Sequence, residues 1–305
     1  MTHISQFTLD PTQQREFSPP TLQQPSNLQA LIKSGKIVIG TTLSFPSRHV
    51  AKVIAATNAD WCWIDAEHVA WSPAVLVECI QVIIHESAAR MIPVVRVPSK
   101  TSFVYMASCL DAGAGGIIIP HIETAEELKA AVAACRFPPS GHRSFPPFTF
   151  IPGLTDKTPP GETIFSIANK HVAIIPQVES RLGFENLESI LDVCERENSA
   201  LMIGFGDLRL DMNLPLAMSG DEPQFVQVIE KATMSAKKRG VPLVGIVRKE
   251  MLQQRIDEGF RLIVCCSDFL TLAMGIVGAV SETREIVEEY MQSRATEIEC
   301  IDVGL

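Results

Sequence analysis

The sequence predicts a closed (β/α)8 TIM barrel folded as a single domain. Three observations predict it. Eight short apolar runs of β type recur along the chain, about 30 residues apart. Helical patterns separate them, and strands alternating with helices signal βαβ units on a parallel sheet. The first run leads into Thr41-Thr42-Leu43-Ser44-Phe45-Pro46 and lacks the Gly-rich turn of an open dinucleotide-binding sheet.

In chain order, residues 1–27 are polar and rich in Pro and Gln, with little to bury, and read as a disordered or extended segment. Ser26-Asn27 opens a short helix, Leu28 to Ser34, closed by Gly35. The strands follow as Ile37–Thr42, Trp61–Asp65, Pro93–Val97, Gly116–Ile119, Val172–Val178, Leu201–Ile203, Val241–Gly245 and Leu262–Cys266. Each is apolar enough to be buried on both faces, as parallel strands are. Helices are expected at His49–Thr57, Pro73–Glu86, Val104–Ala112, Ala125–Cys135, Leu187–Glu195, Pro223–Arg239, Lys249–Glu258 and Thr271–Met291. The barrel domain spans 28–295, and 296–305 form a tail. Two interruptions stand out. Phe137 to Ala168, with its Pro/Phe-rich centre, is expected on the catalytic rim because it comes after the fourth strand, or else is a surface excursion that packs its own Phe residues for stability. Leu208 to Glu222 follows the sixth.

Composition narrows the partners. Of 305 residues 46% are hydrophobic and 20% charged, an ordinary globular balance. A formal net charge of -9 offers no basic stripe for nucleic acid. No run approaches the roughly 18 apolar residues of a membrane span, and the N-terminal segment has no apolar signal core. Eight cysteines without a CxxC pair read as reduced thiols in a cytoplasmic protein.

The chemistry gathers where strands end. Trp61-Cys62-Trp63-Ile64-Asp65-Ala66-Glu67-His68 passes directly from an apolar run to two carboxylates and an imidazole. Barrel enzymes keep their reactive groups at this edge. Glu179 and Asp207 each stand just past one of two consecutive strands. Neighbouring carboxylates repel unless a cation lies between them or one is protonated, so the pair suits an oxygen-preferring divalent ion. Each could also simply cap the helix that follows. Arg96, ending the third strand, can fork onto a carboxylate or a developing enolate oxygen, or bridge to Asp65 or Glu67. His68, three residues past Asp65, reads as a general acid/base oriented by that carboxylate. His121 reaches the same rim, Asp111 reads as a capping group or an intersubunit hydrogen-bonding group, Asp268 as a cap of the last helix, and Lys100 is assigned no role.

Taken together, Trp63-Ile64-Asp65-Ala66-Glu67-His68, Val94-Val95-Arg96-Val97-Pro98, Leu110-Asp111-Ala112-Gly113-Ala114, Gln177-Val178-Glu179 and Ile203-Gly204-Phe205-Gly206-Asp207-Leu208 resemble the HpcH/HpaI aldolase family from about Gly40 to Gly275. The resemblance implies a barrel of the phosphoenolpyruvate/pyruvate type and a metal-dependent carbon–carbon lyase. Such an enzyme cleaves or forms 4-hydroxy-2-oxo acids through a metal-bound pyruvate enolate. It further implies Glu179 and Asp207 as ligands of Mg2+, or of Mn2+ or Co2+, with Gln177 beside them. Arg96 would hold the enolate oxygen, His68 with Asp65 would move protons, and amides around Gly206 and Asp207 would receive the substrate carboxylate. The expected partners are a small 2-oxo acid and an aldehyde or other acceptor, without nucleic acid or membrane. Dimers exchanging the C-terminal helix, assembling further to hexamers, are implied as well. Oxaloacetate decarboxylation, with or without addition of the enolate to a second substrate, uses the same residues. A barrel that binds a keto acid without turnover is the reading from another class. Thr42-Leu43 stands where many members have Trp, and Gly204-Phe205-Gly206-Asp207 where they have Gly-Pro-Ala-Asp, so acceptor preference does not transfer.

Overall fold

The computed structural model describes residues 15–19, 24–147, 149, 151 and 157–302. Eight parallel strands close on themselves in the order β1-β2-β3-β4-β5-β6-β7-β8. The chain enters through α1 (Leu28–Lys33) and β1 (Val38–Leu43), then continues through α2 (Arg48–Ala55), β2 (Trp61–Asp65), α3 (Pro73–Glu86) and β3 (Ile92–Arg96). It proceeds by α4 (Phe103–Asp111), β4 (Gly116–Ile119), α5 (Ala125–Cys135), α6 (Ile164–His171) and β5 (Ala173–Val178). Next come α7 (Arg181–Glu185), α8 (Leu187–Arg196), β6 (Leu201–Ile203), α9 (Phe205–Asp211) and α10 (Pro223–Arg239). Last are β7 (Leu243–Ile246), α11 (Leu252–Glu258), β8 (Phe260–Ser267) and α12 (Asp268–Asp302).

Period-two alternation divides the apolar side chains into two cores. One lies between sheet and helices, where Ile64, Val95, Ile117 and Ile174 meet Ile80, Met106, Leu128 and Ile190. The other fills the barrel, with Trp61, Trp63, Val94, Ile118, Ile175 and Val264. Two indoles fit inside because β1 gives way: a Cβ at Gly40 would lie 2.5 Å from the Trp61 ring. Below them Leu28 and Leu31 of α1 close the N-terminal end of the barrel. A fully buried leucine of this kind contributes about 2 kcal/mol. Asn27 caps α1 by accepting the Ala30 N–H at 2.9 Å.

Part of the N-terminal segment read as disordered is therefore packed. Phe17 joins the inner core, and Gln24 and Ser26 are buried. The Gln24 amide donates to the Lys157 carbonyl at 2.9 Å.

That contact also corrects the placement of the 137–168 segment. Helix α5 stands between β4 and this segment, so the chain has already returned to the N-terminal end of the barrel. Its described residues lie beneath the barrel, away from the catalytic rim. Arg143 pairs there with Asp111, the last residue of α4, at 2.5 Å. Residues 148, 150 and 152–156 of it lie outside the described residues. Its last turn is helical: Thr163 and Ser166 form a reciprocal capping box that opens α6. Helix α7 is too short to show a period, and α9 begins inside a Gly-Phe-Gly stretch that reads as a turn. The last helix starts earlier than expected, at Asp268, and continues to Asp302.

Candidate active site

Register brings the chemical groups together. Asp65 and Arg96 are paired positions on β2 and β3, and Arg96 is in turn level with Ile118 on β4. Being level and on the same face, Asp65 and Arg96 meet. Arg96 donates from Nε and Nη2 to the two carboxylate oxygens of Asp65, both at 2.9 Å. Its Nη1 lies 3.0 Å from Glu67 Oε2 and donates to Gln177 Oε1 at 3.4 Å. The guanidinium is stacked over the Trp63 ring, 4.6 Å from its centroid. Planar, forked and sandwiched, it has little freedom to reorient.

Glu179 follows β5 and is 3% exposed. Its Oε1 accepts the His121 backbone N–H at 2.9 Å, and its Oε2 accepts from the Gln177 side-chain amide. His121 takes a left-handed conformation, φ 55°, to make that donation. Burial, and after it the charges of Asp207 and Glu67, push the Glu179 carboxyl up to about 7. Burial likewise raises Glu67, against the pull of Arg96. Asp207 sits in the first turn of α9, directly after β6. Backbone N–H groups of a helix's first turn have no intrahelical partner and attract anions. At this end of α9 they belong to Phe205, Gly206 and Asp207.

The site thus sets four carboxylates, Asp65, Glu67, Glu179 and Asp207, against the guanidinium of Arg96. Among the described residues, no three His, Cys, Asp or Glu side chains form a closed metal cage. Glu179 and Asp207 remain as a sparse acidic pair. Glu67 Oε2 is buried without a hydrogen bond of proper geometry, its tie to Arg96 being an ion pair. Surplus negative charge, a carboxyl raised by burial and then by its neighbours, and an all-oxygen donor set suit a hard divalent cation.

Of the residues singled out from sequence, Asp65, Arg96, Gln177 and Glu179 converge, with Asp207 near enough to raise Glu179. His68 departs from expectation. Asp65 accepts the Arg96 fork and, at Oδ1, the Glu67 N–H at 3.1 Å, and it does not orient the imidazole. His68 lies 3.7 Å from Glu67 instead, with its side chain 66% exposed at the mouth. Lys100 is held by Glu123 and Glu127 at 3.0 and 2.7 Å, away from the acidic pair. Asp268 accepts the N–H groups of Ser44 and Phe45, tying the β1 loop to α12. Sequence reasoning named Glu67 as a bridging partner of Arg96, and the two lie 3.0 Å apart. One participant was missed. Gly204 had no signal, because its importance lies in the space it leaves.

A profile of the HpcH/HpaI aldolase/citrate lyase family matches residues 43–272. The chain is 30% identical over 267 residues to a 4-hydroxy-2-oxovalerate aldolase of Novosphingobium aromaticivorans, covering 87% of this chain and 97% of that protein. It is 29% identical over 245 residues to a 4-hydroxy-2-oxo-heptane-1,7-dioate aldolase of Salmonella typhimurium, covering 80% and 89%. Among solved structures, macrophomate synthase superposes with a TM-score of 0.84 at 34% identity, over 90% of this chain and 94% of that one. Trp61-Cys62-Trp63, Ile119-Pro120-His121 and Arg143-Ser144-Phe145 are the motifs that resemble that enzyme.

Proposed function

Because the chain belongs to the HpcH/HpaI aldolase/citrate lyase family, we propose that it makes and breaks the C3–C4 bond of 4-hydroxy-2-oxo acids by way of a pyruvate enolate. The observation that carries this reading is the buried Arg96 fork facing the acidic pair of Glu179 and Asp207. The family is generally dependent on a divalent metal. Glu179 and Asp207 would hold it, with Gln177 beside them, and Mg2+ fits the oxygen donors, as do Mn2+ and Co2+. Bound there, such an ion supplies Lewis acidity toward the 2-oxo acid.

The rest falls to the chain's own residues. The first-turn amides of Gly206 and Asp207 receive the substrate carboxylate. Arg96 donates to the ketone oxygen and gains strength as that oxygen becomes an enolate, since a fixed donor in a dry site needs no reorganisation. Asp65, by occupying two of its donors, holds the guanidinium in place. His68 stands at the wet edge next to Glu67 and exchanges protons between solvent and the substrate. In cleavage it takes the 4-hydroxyl proton; the aldehyde leaves, and carbon three is then protonated to give pyruvate.

We infer a dimer-based homo-oligomer as well. Helix α12 exposes Phe269, Leu270, Leu272, Met274, Ile276, Val277 and Val280 over rather more than half of its circumference. A groove of about 690 Å³, lined by Val50, Val53, Ile54, Cys265 and Leu272, lies open beside its root. A helix face this broadly apolar is one that packs against a partner surface, and the matching helix of a second copy fits that groove. Free thiols at all seven described cysteines agree with a cytoplasmic setting. Among the described residues no helix is long and apolar enough to cross a membrane.

Product analysis tests the reading. Pyruvate with a panel of aldehydes and Mg2+, Mn2+ or Co2+ should yield 4-hydroxy-2-oxo acids, and EDTA should stop turnover until metal is restored. Activity that resists the chelator counts against the acidic pair as a metal site. Release of carbon dioxide from oxaloacetate with no aldol formed would identify a decarboxylase using the same residues.

A further inference from the structure

Gly204 is the N-cap of α9, a position where Ser, Thr, Asn or Asp would satisfy a free N–H of the first turn. The helix forgoes that cap. Backbone conformation does not explain the glycine, because φ -88° and ψ 86° are open to any L residue. Space does. A Cβ at this position would lie 2.5 Å from Glu179 Cβ, 3.1 Å from its Cδ and closer still to Oε2. Real Cβ contacts are not found below 3.0 Å.

Neither side can retreat. The Gly204 N–H donates to the Val178 carbonyl at 3.0 Å, and its own carbonyl accepts the Leu208 N–H at 3.1 Å, which fixes the backbone between strand and helix. Glu179 is buried and held at both oxygens, by the His121 N–H and by the Gln177 amide. Gln177 in turn leans on Arg96. A side chain at 204 would therefore drive the carboxylate out of its cradle and disturb the alignment toward Asp207 and Arg96.

We propose that Gly204 is a positioning residue for Glu179, keeping open the one space from which that carboxylate faces Asp207. The inference rests on the reading of Glu179 as a metal ligand and adds a demand on a residue that touches neither substrate nor ion. It acts only through Glu179, so its effect must vanish when the side chain there is removed, Cβ included.

A double-substitution cycle on the full-length protein tests this, with Mn2+ affinity measured by calorimetry and kcat and KM for aldol addition as a second readout. G204A should weaken Mn2+ by about tenfold or more, the scale of losing a group that orients a ligand. E179G alone should also weaken it. Combined, the two should fall well short of multiplying, because with no Cβ at 179 the new methyl has nothing there to displace. Independent, multiplicative losses overturn the proposal, as does native Mn2+ affinity in G204A. If E179G and E179Q both bind Mn2+ normally, the metal-ligand reading itself fails and this inference falls with it. Should G204A fold poorly, E179G/G204A should melt at the temperature of E179G alone; no recovery would mean that the methyl collides elsewhere and would overturn the proposal.

Discussion

Arg96 has more partners than a structural ion pair requires: two oxygens of Asp65, one of Glu67, the Gln177 amide and the face of Trp63. Each fixes the direction of the guanidinium, which is what a group stabilising a developing enolate needs. Replacing it by alanine should reduce kcat by about 10²-fold to 10³-fold, with Mn2+ affinity changed far less. Exchange of the pyruvate methyl protons, followed by NMR in heavy water, is the direct check, and unchanged exchange would remove Arg96 from the mechanism. Lysine should rescue poorly, since a point charge cannot fork onto Asp65. Most of this was legible in the chain. Asp65, Arg96, Glu179 and Asp207 all stand at strand ends, and that rule is purely positional. The partner of His68 was not legible, because spacing along one strand says nothing about which neighbouring strand competes for Asp65. The adjacency of β2 and β3, with Asp65 level with Arg96, decides it.

The loop after α9 shows how an element is tied down. Arg209, buried against Phe225, forks onto both oxygens of Glu222 at 2.6 Å each and donates to the Pro215 carbonyl at 2.8 Å. The loop thereby folds back, so that Leu216 comes within 3.3 Å of where a Gly206 Cβ would be. The Arg209 fork holds the Glu222 carboxyl down at about 2, from a usual 4.5. A carboxyl depressed in the folded state lends stability above its unfolded pKa, and that contribution is lost as pH falls toward the folded value. Between about pH 4.5 and 2, E222Q should therefore show a flatter decline in urea midpoint than the parent protein. An identical slope would mean that the fork contributes nothing. The strands were readable because both of their faces are apolar. This loop was read only as an insertion, since its order comes from an ion pair between residues 13 apart rather than from any period. The 137–168 segment was misplaced for a related reason: which end of the barrel a loop occupies depends on whether a helix has already intervened.

At the scale of the molecule, α12 is the feature that the monomer leaves unresolved. It is 35 residues long and continues well past the end of the barrel wall. Ile286, Val287, Tyr290 and Met291 extend its apolar surface as one stripe beyond the broader apolar face of the first half. Aspartate at Leu272 and Val280 should convert the assembly to monomers in light scattering while far-UV circular dichroism keeps its helical signal. Assembly that survives both substitutions would show that the helix is not the seam.

The tryptophans carry a practical consequence. The chain has three, at 61, 63 and 71. One fills the barrel beside Gly40, one lies under the Arg96 guanidinium, and the third donates from its indole to the Asp65 carbonyl at 2.6 Å. Trp63 and Trp71 thus lie against the Arg96–Asp65 pair, and Trp61 lies deeper inside the barrel. Intrinsic emission excited at the red edge of the protein band is consequently a built-in optical probe of occupancy, free of signal from the outer helices.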